Sequence, residues 1–105
     1  MDIRQVWNEK ENSWFIALTG EIDIYNAPQL KESLLKMLEQ NKGNIIMDCL
    51  DLKYIDSTGL GVLISALRRV KDYDGNIVIK HLKPYIHKIF VLTGLYKIFT
   101  IQVEE

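Results

Sequence analysis

Residues 44–70 read NIIMDCLDLKYIDSTGLGVLISALRRV, and the change of period inside this stretch decides the fold. Its first part, Asn44 to Cys49, is a continuous β-branched and apolar run, the pattern of a strand buried on both faces. From Asp56-Ser57 onward the period turns helical, with Leu60, Leu63, Ile64, Leu67 and Val70 recurring at three- and four-residue spacing. Arg68, Arg69 and Lys71 close that helix, where cations favour the negative pole of the helix dipole, and they read as a solvated helix end.

The flanking segments repeat the alternation. Upstream, Ile3 to Trp7 and Trp14 to Leu18 are short strands on either side of the polar turn Asn8 to Asn12, a hairpin ending at Gly20. Asn26-Ala27-Pro28 opens a helix, since a proline at the first helical position loses no hydrogen bond. Leu30, Leu34, Met37 and Leu38 form its apolar face, Glu32 and Lys36 pair on the wet face, and Gly43 offers a left-handed stop. Downstream, Asp74-Gly75 turns the chain into a strand at Asn76 to Lys80. Pro84 opens a third helix with Ile86, Ile89 and Phe90 inward and Gly94 as its stop, and Ile98 to Val103 is the last strand. The order β-β-α-β-α-β-α-β predicts right-handed crossovers and a single α/β domain over residues 1–105. Its sheet is mostly parallel, mixed at the hairpin edge, and packed with three main helices.

Composition agrees with one ordinary globular core. The 105 residues are 48% apolar and 26% charged, enough for one core without disulfide or metal staples. Thirteen basic against fourteen acidic residues leave a net charge of −1, so no basic footprint points to nucleic acid. The longest apolar stretches, Leu60 to Leu67 and Ile86 to Leu92, fall well short of the roughly 20 residues of a membrane span. The opening MDIRQVWNEKE has no apolar h-region, so no secretory signal is expected. The lone Cys49 excludes an internal disulfide and reads as a small buried hydrophobe. His81, His87, Asp48 and Cys49 show no C-x-x-C or H-E-x-x-H spacing. The expectation is a cytoplasmic protein without metal or cofactor, and a monomer when free.

The segment Tyr54 to Leu63 breaks the rules of an ordinary helix start. Gly59 and Gly61 both fall near the first turn, although glycine costs about 1 kcal/mol relative to alanine in a helix interior. Missing side-chain bulk there lets another backbone or a ligand approach a helix N-terminus, whose free N–H groups favour anions. A serine at that place can carry a phosphate, while the plainer role for Asp56 or Ser57 is an N-cap. Gly59-x-Gly61 is a poor nucleotide loop, lacking a third glycine and any G-x-x-x-x-G-K-[ST]. Catalysis is not expected. Ser57 lacks the G-x-S-x-G elbow, His81 and His87 read as surface or packing residues, and Asp23 with Asp56 reads as solvated acids rather than a dyad. Trp7, Trp14, Phe15 and Tyr25 read as core or edge packing, with Tyr25 and Asn26 also interface candidates in the loop before the first helix.

The run Ile55-Asp56-Ser57-Thr58-Gly59-Leu60-Gly61-Val62-Leu63 closely resembles the phosphorylation segment of bacterial anti-sigma factor antagonists, the STAS-domain proteins of partner-switching systems. Leu18-Thr19-Gly20-Glu21-Ile22-Asp23, followed by Ala27 and Leu30, is similar to that family's G-E-[IL]-D loop and first helix. The resemblance spans essentially the whole chain. It implies that the unmodified protein binds an anti-sigma factor that is itself a serine kinase, so that a sigma factor is released. The kinase, holding ATP, phosphorylates Ser57 and the antagonist lets go; a metal-dependent serine phosphatase resets it. By the same resemblance Asp23 and Asp56 are the acidic positions beside the phosphoacceptor, Thr58 is a neighbouring position and not the main acceptor, and Gly59 and Gly61 keep the partner's approach open. A non-switching STAS scaffold or regulatory subunit, in which Ser57 is only a cap, is the alternative.

Overall fold

The computed structural model describes residues 1–103. The last two residues of the expected 1–105 domain lie outside the described residues. Strands β1 (Asp2–Asn8) and β2 (Ser13–Ile22) form the expected hairpin, and α1 (Ala27–Gln40) leads to β3 (Asn44–Ile55). Helix α2 (Ser57–Lys71), β4 (Ile77–Lys80), α3 (Pro84–Leu92), a single 3₁₀ turn (Leu95–Lys97) and β5 (Thr100–Gln102) follow. The strands lie side by side in chain order, with β1 antiparallel to β2 and every later pair parallel. The predicted order and mixed sheet are therefore what the chain adopts.

The sheet is covered on one face only. Trp14, Ile16 and Leu18 of β2, Ile45, Met47 and Cys49 of β3, and Ile77 and Ile79 of β4 are buried together with the apolar stripes of the helices. On the opposite face Phe15, Ala17, Ile46, Asp48, Val78 and Lys80 are half-buried, and Val6 and Asn44 are exposed. The reading of Asn44 to Cys49 as a strand buried on both faces is thus corrected. Right-handed crossovers that each advance one strand in the same direction put their helices on the same side, so nothing returns to cover the second face.

Four further boundaries differ from expectation, each for a physical reason. Strand β2 does not end at Gly20; it runs on to Ile22, with Gly20 at φ +92° beside a register shift, the usual place of glycine in a bulged strand. Strand β3 continues six residues beyond Cys49. Two register shifts against β2 change its buried spacing from Ile45, Met47, Cys49 to Cys49, Leu52, Ile55, so the alternation that marks a strand disappears. Gly43 is not a left-handed cap: α1 ends at Asn41 in an extended conformation (φ −143°), and a Cβ on Gly43 would stand 2.6 Å from both the Asn12 carbonyl oxygen and the Trp7 ring. Glycine is there because the hairpin turn approaches too closely for a side chain. Finally, Ile98 and Phe99 donate to the Leu95 carbonyl at 3.1 Å each, so the last strand begins only at Thr100.

Other expectations hold. Glu32 and Lys36 pair at 3.3 Å, Gly94 ends α3 at φ +77°, and Trp7 packs on Trp14 with ring centroids 5.2 Å apart. Pro28 occupies the second rather than the first position of α1, and Ala27, the first, donates to the Asp23 carbonyl at 2.8 Å. No helix among the described residues is long and apolar enough to cross a membrane. Cys49 is buried, and burial first, then the neighbouring Asp48 carboxylate, pushes its thiol up to about 12. A thiol reagent at pH 8 is therefore expected to leave the folded protein unlabelled and to modify Cys49 quantitatively once denaturant opens the core, read by intact mass.

Candidate functional site

The site is assembled where β2 and β3 end together. Ile22 is paired with Ile55 in the parallel register, so the loop carrying Asp23 and the helix start carrying Asp56 and Ser57 leave the sheet from adjacent strands. Two backbone groups tie them: the Asp56 N–H donates to the Ile22 carbonyl at 3.1 Å, and the Ile24 amide is directed at the Asp56 carboxylate. The two sequence motifs, more than thirty residues apart, form one surface.

Within this surface Asp56 is the N-cap of α2. Its carboxylate accepts from the Thr58 N–H at 3.0 Å, from the Gly59 N–H at 3.1 Å, and from the Thr58 hydroxyl in a short contact. These bonds, the Thr58 hydroxyl first and the Gly59 amide second, hold the Asp56 carboxyl below its ordinary value of 3.8. Ser57 is the first residue of α2, it is exposed, and its hydroxyl has no hydrogen-bond partner among the described residues. The cap is thus Asp56, and Ser57 is not the cap that the scaffold alternative made it.

Asp23 organises the neighbouring loop. Its carboxylate accepts from the Tyr25 N–H at 2.9 Å and the Asn26 N–H at 3.2 Å. Asn26 returns the bond, its side-chain oxygen accepting from the Asp23 N–H at 2.9 Å and its amide donating to the Glu21 carbonyl at 2.9 Å. Each acid is thus engaged by backbone N–H groups, a tether rather than a proton-transfer dyad. The tether pushes two apolar side chains into solvent: Ile24 is 62% and Tyr25 91% exposed. Tyr25 is therefore no packing residue and keeps only its reading as an interface candidate. Ile24 escaped the sequence reading; the signal was the Asp-x-x-Asn spacing, which forms a self-bonded turn with nothing left to cover its tip.

The two glycines divide. Gly61 is exposed, and a Cβ built there meets nothing within 4 Å, so the helix surface is open at this point. Gly59 is buried, and its Cβ would fall 2.6 Å from Ile55 Cγ1 and 2.7 Å from Ile22 Cγ2. The expectation that Gly59 keeps the partner's approach open is corrected: it lets α2 seat against the ends of β2 and β3. Elsewhere, His81 Nδ1 lies 2.9 Å from Asp48 Oδ1 in a half-buried pair, and His87 is half-buried on α3. Both lie on segments other than those that carry Asp23 and Ser57.

Three outcomes follow from this geometry. Gly59→Ala should destabilise by about 1–3 kcal/mol because the added methyl overpacks the Ile22–Ile55 contact. Gly61→Ala should stabilise by up to about 1 kcal/mol as a helix-interior replacement. Denaturant unfolding of the two variants separates the inward from the outward glycine. Asp56→Ala should lower the melting temperature by several degrees at neutral pH. A carboxyl held down in the fold stabilises above its unfolded value of 3.8 and loses that contribution as pH falls through the folded value, so the gap between variant and wild type should close below pH 3.8.

Comparison with known proteins fits this architecture. Residues 6–105 match the STAS domain family. The chain is 36% identical over 106 residues to the anti-sigma-B factor antagonist of Bacillus subtilis (strain 168), covering 100% of this chain and 95% of the relative. Its fold superposes on the anti-sigma factor antagonist SpoIIAA in its unphosphorylated form with a TM-score of 0.75 at 19% identity, over 99% of this chain and 90% of the other. It superposes on the Bacillus SpoIIAA in the phosphorylated form with a TM-score of 0.73 at 21% identity, over 98% and 93%. The chain belongs to the STAS-domain family, alongside its anti-sigma factor antagonists.

Proposed function

We propose that this protein is an anti-sigma factor antagonist that acts by partner switching, with Ser57 as the switch. In the unmodified state the surface around Ser57 binds an anti-sigma factor that is itself a serine kinase, and the sigma factor held by that partner is freed. The kinase then transfers a phosphoryl group from its own ATP to the Ser57 hydroxyl and the complex parts. A serine phosphatase restores the hydroxyl. The protein holds no cofactor, performs no catalysis and contacts neither nucleic acid nor membrane; it works in the cytoplasm, as a monomer until it meets a partner.

The observation that carries this reading is the exposed, unpartnered Ser57 hydroxyl at the first position of α2, beside a cap already filled by Asp56. Phosphorylation adds about −1.5 to −2 charges at pH 7. A helix N-terminus normally welcomes such an anion, but here the Asp56 carboxylate occupies the Thr58 and Gly59 N–H groups and adds its own negative charge. The phosphate is left uncompensated in a surface that must desolvate to bind. A loss of about 4 kcal/mol there weakens association roughly a thousandfold, with no change of fold. Ile24 and Tyr25, exposed beside this charge, are the apolar anchors of the contact.

Intact mass and site mapping of the protein from its native cells should find one phosphate, on Ser57 and absent in Ser57→Ala. Ser57→Ala should bind the kinase as wild type does and resist release by ATP, whereas Ser57→Asp should bind at least tenfold more weakly. A Ser57→Asp variant that bound as tightly as wild type would sink the charge mechanism. A chain unmodified under every growth condition would favour the scaffold alternative.

A further inference from the structure

At the end of α2 remote from Ser57 a groove of about 710 Å³ opens between that helix and the 3₁₀ turn, within the size range of binding pockets. One wall is the stripe Ile64, Leu67, Arg68 and Lys71, spaced i, i+3, i+4 and i+7 along a single face of α2; the other is Lys97 and Ile98. Its floor is apolar. Ile98 is 45% exposed, Ile64 is half-buried and Leu67 is buried beneath them. Its rim is cationic, with Arg68, Lys71 and Lys97 against the single carboxylate of Asp72, on a chain whose net charge is −1. Among the described residues none of the three cations lies within 4.0 Å of a carboxylate oxygen, and the Lys97 ammonium lies 5.9 Å from the Tyr96 ring centroid.

The helix dipole accounts for basic residues in the last turn of α2. It does not account for Lys97, contributed by another element, nor for an apolar floor left open beneath the charges. A helix face about 10 Å long, the rise of seven residues, that carries Ile64 and Leu67 at one end and Arg68 and Lys71 at the other, opposite Ile98 and Lys97, complements a helix that carries carboxylates beside an apolar face. We propose that this groove is a second docking surface, which receives an acidic amphipathic helix of a partner protein. It lies seven to fourteen residues along α2 from Ser57, about 10–20 Å, beyond the roughly 8 Å over which charges act at physiological salt. Binding here is therefore independent of the state of Ser57, and a partner at this end stays attached through both halves of the switch.

The test is an amide ¹H–¹⁵N titration of the full chain with a synthetic helical peptide of about 14 residues, roughly four turns, bearing leucines on one face and glutamates flanking them. Shifts should concentrate at residues 64–71 and 95–98 and weaken as salt is raised. Affinity should fall about tenfold in the Arg68→Glu/Lys71→Glu variant and stay unchanged in Ser57→Asp. Lys97→Glu, on the opposite wall, should reproduce the loss should the double variant fold poorly. No shift at roughly 1 mM peptide, shifts centred elsewhere, or equal binding of a peptide with every glutamate replaced by lysine would overturn the proposal.

Discussion

Ile22 and Ile55 close the parallel pairing of β2 with β3, and everything at the Ser57 end depends on that pair. The Asp56 N–H bonds the Ile22 carbonyl, and Gly59 presses its bare Cα against both isoleucine side chains. These contacts set the direction in which α2 leaves the sheet. They thereby decide that Asp56 caps the helix while Ser57, one residue on, faces solvent. A side chain at position 59 would push the helix off its seat and shift the cap, the serine and the open surface at Gly61 together. Because interiors are close-packed, such a displacement is not absorbed locally.

The one-sided sheet is the second organising fact. Three crossovers that step along the sheet in the same direction concentrate the buried surface into one layer between helices and strands. The other face is left with a mixed row of Phe15, Ile46 and Val78 beside Ala17, Asp48 and Lys80. Parallel strands are usually buried on both faces, so the exposed row must be tolerable to water, and the Asp48–His81 pair and Lys80 make it so. Helix α2 packs against α1 along one flank, and its other flank faces Lys97 and Ile98 across a groove.

Helix α2 thus presents opposite electrostatic characters at its two ends. At the N-terminus the Thr58 and Gly59 N–H groups are already taken by the Asp56 carboxylate, whose negative charge would repel an added phosphate. At the C-terminus Arg68 and Lys71 are joined by Lys97 around an apolar floor. A rigid helix of fifteen residues separates the two, long enough for salt to screen one from the other.

Much of this was legible in the chain itself. The element order, the helical stripes, the hairpin, the stop at Gly94 and the Ile55–Leu63 segment all follow from relations between residues within four or five positions of one another, which local periodicity and capping chemistry encode. What the tertiary structure alone decided involves residues distant in sequence. Cys49 to Ile55 look irregular until the two register shifts against β2 are seen. Gly43 and Gly59 look like flexible positions until the Trp7 ring and the Ile22–Ile55 pair are found against them. Arg68 and Lys97 lie twenty-nine positions apart and share a groove only because the last crossover brings them together. Short-range steric and hydrogen-bonding preferences are written in neighbouring residues; which surfaces then meet is settled by the packing of a whole core, and no single stretch of sequence contains it.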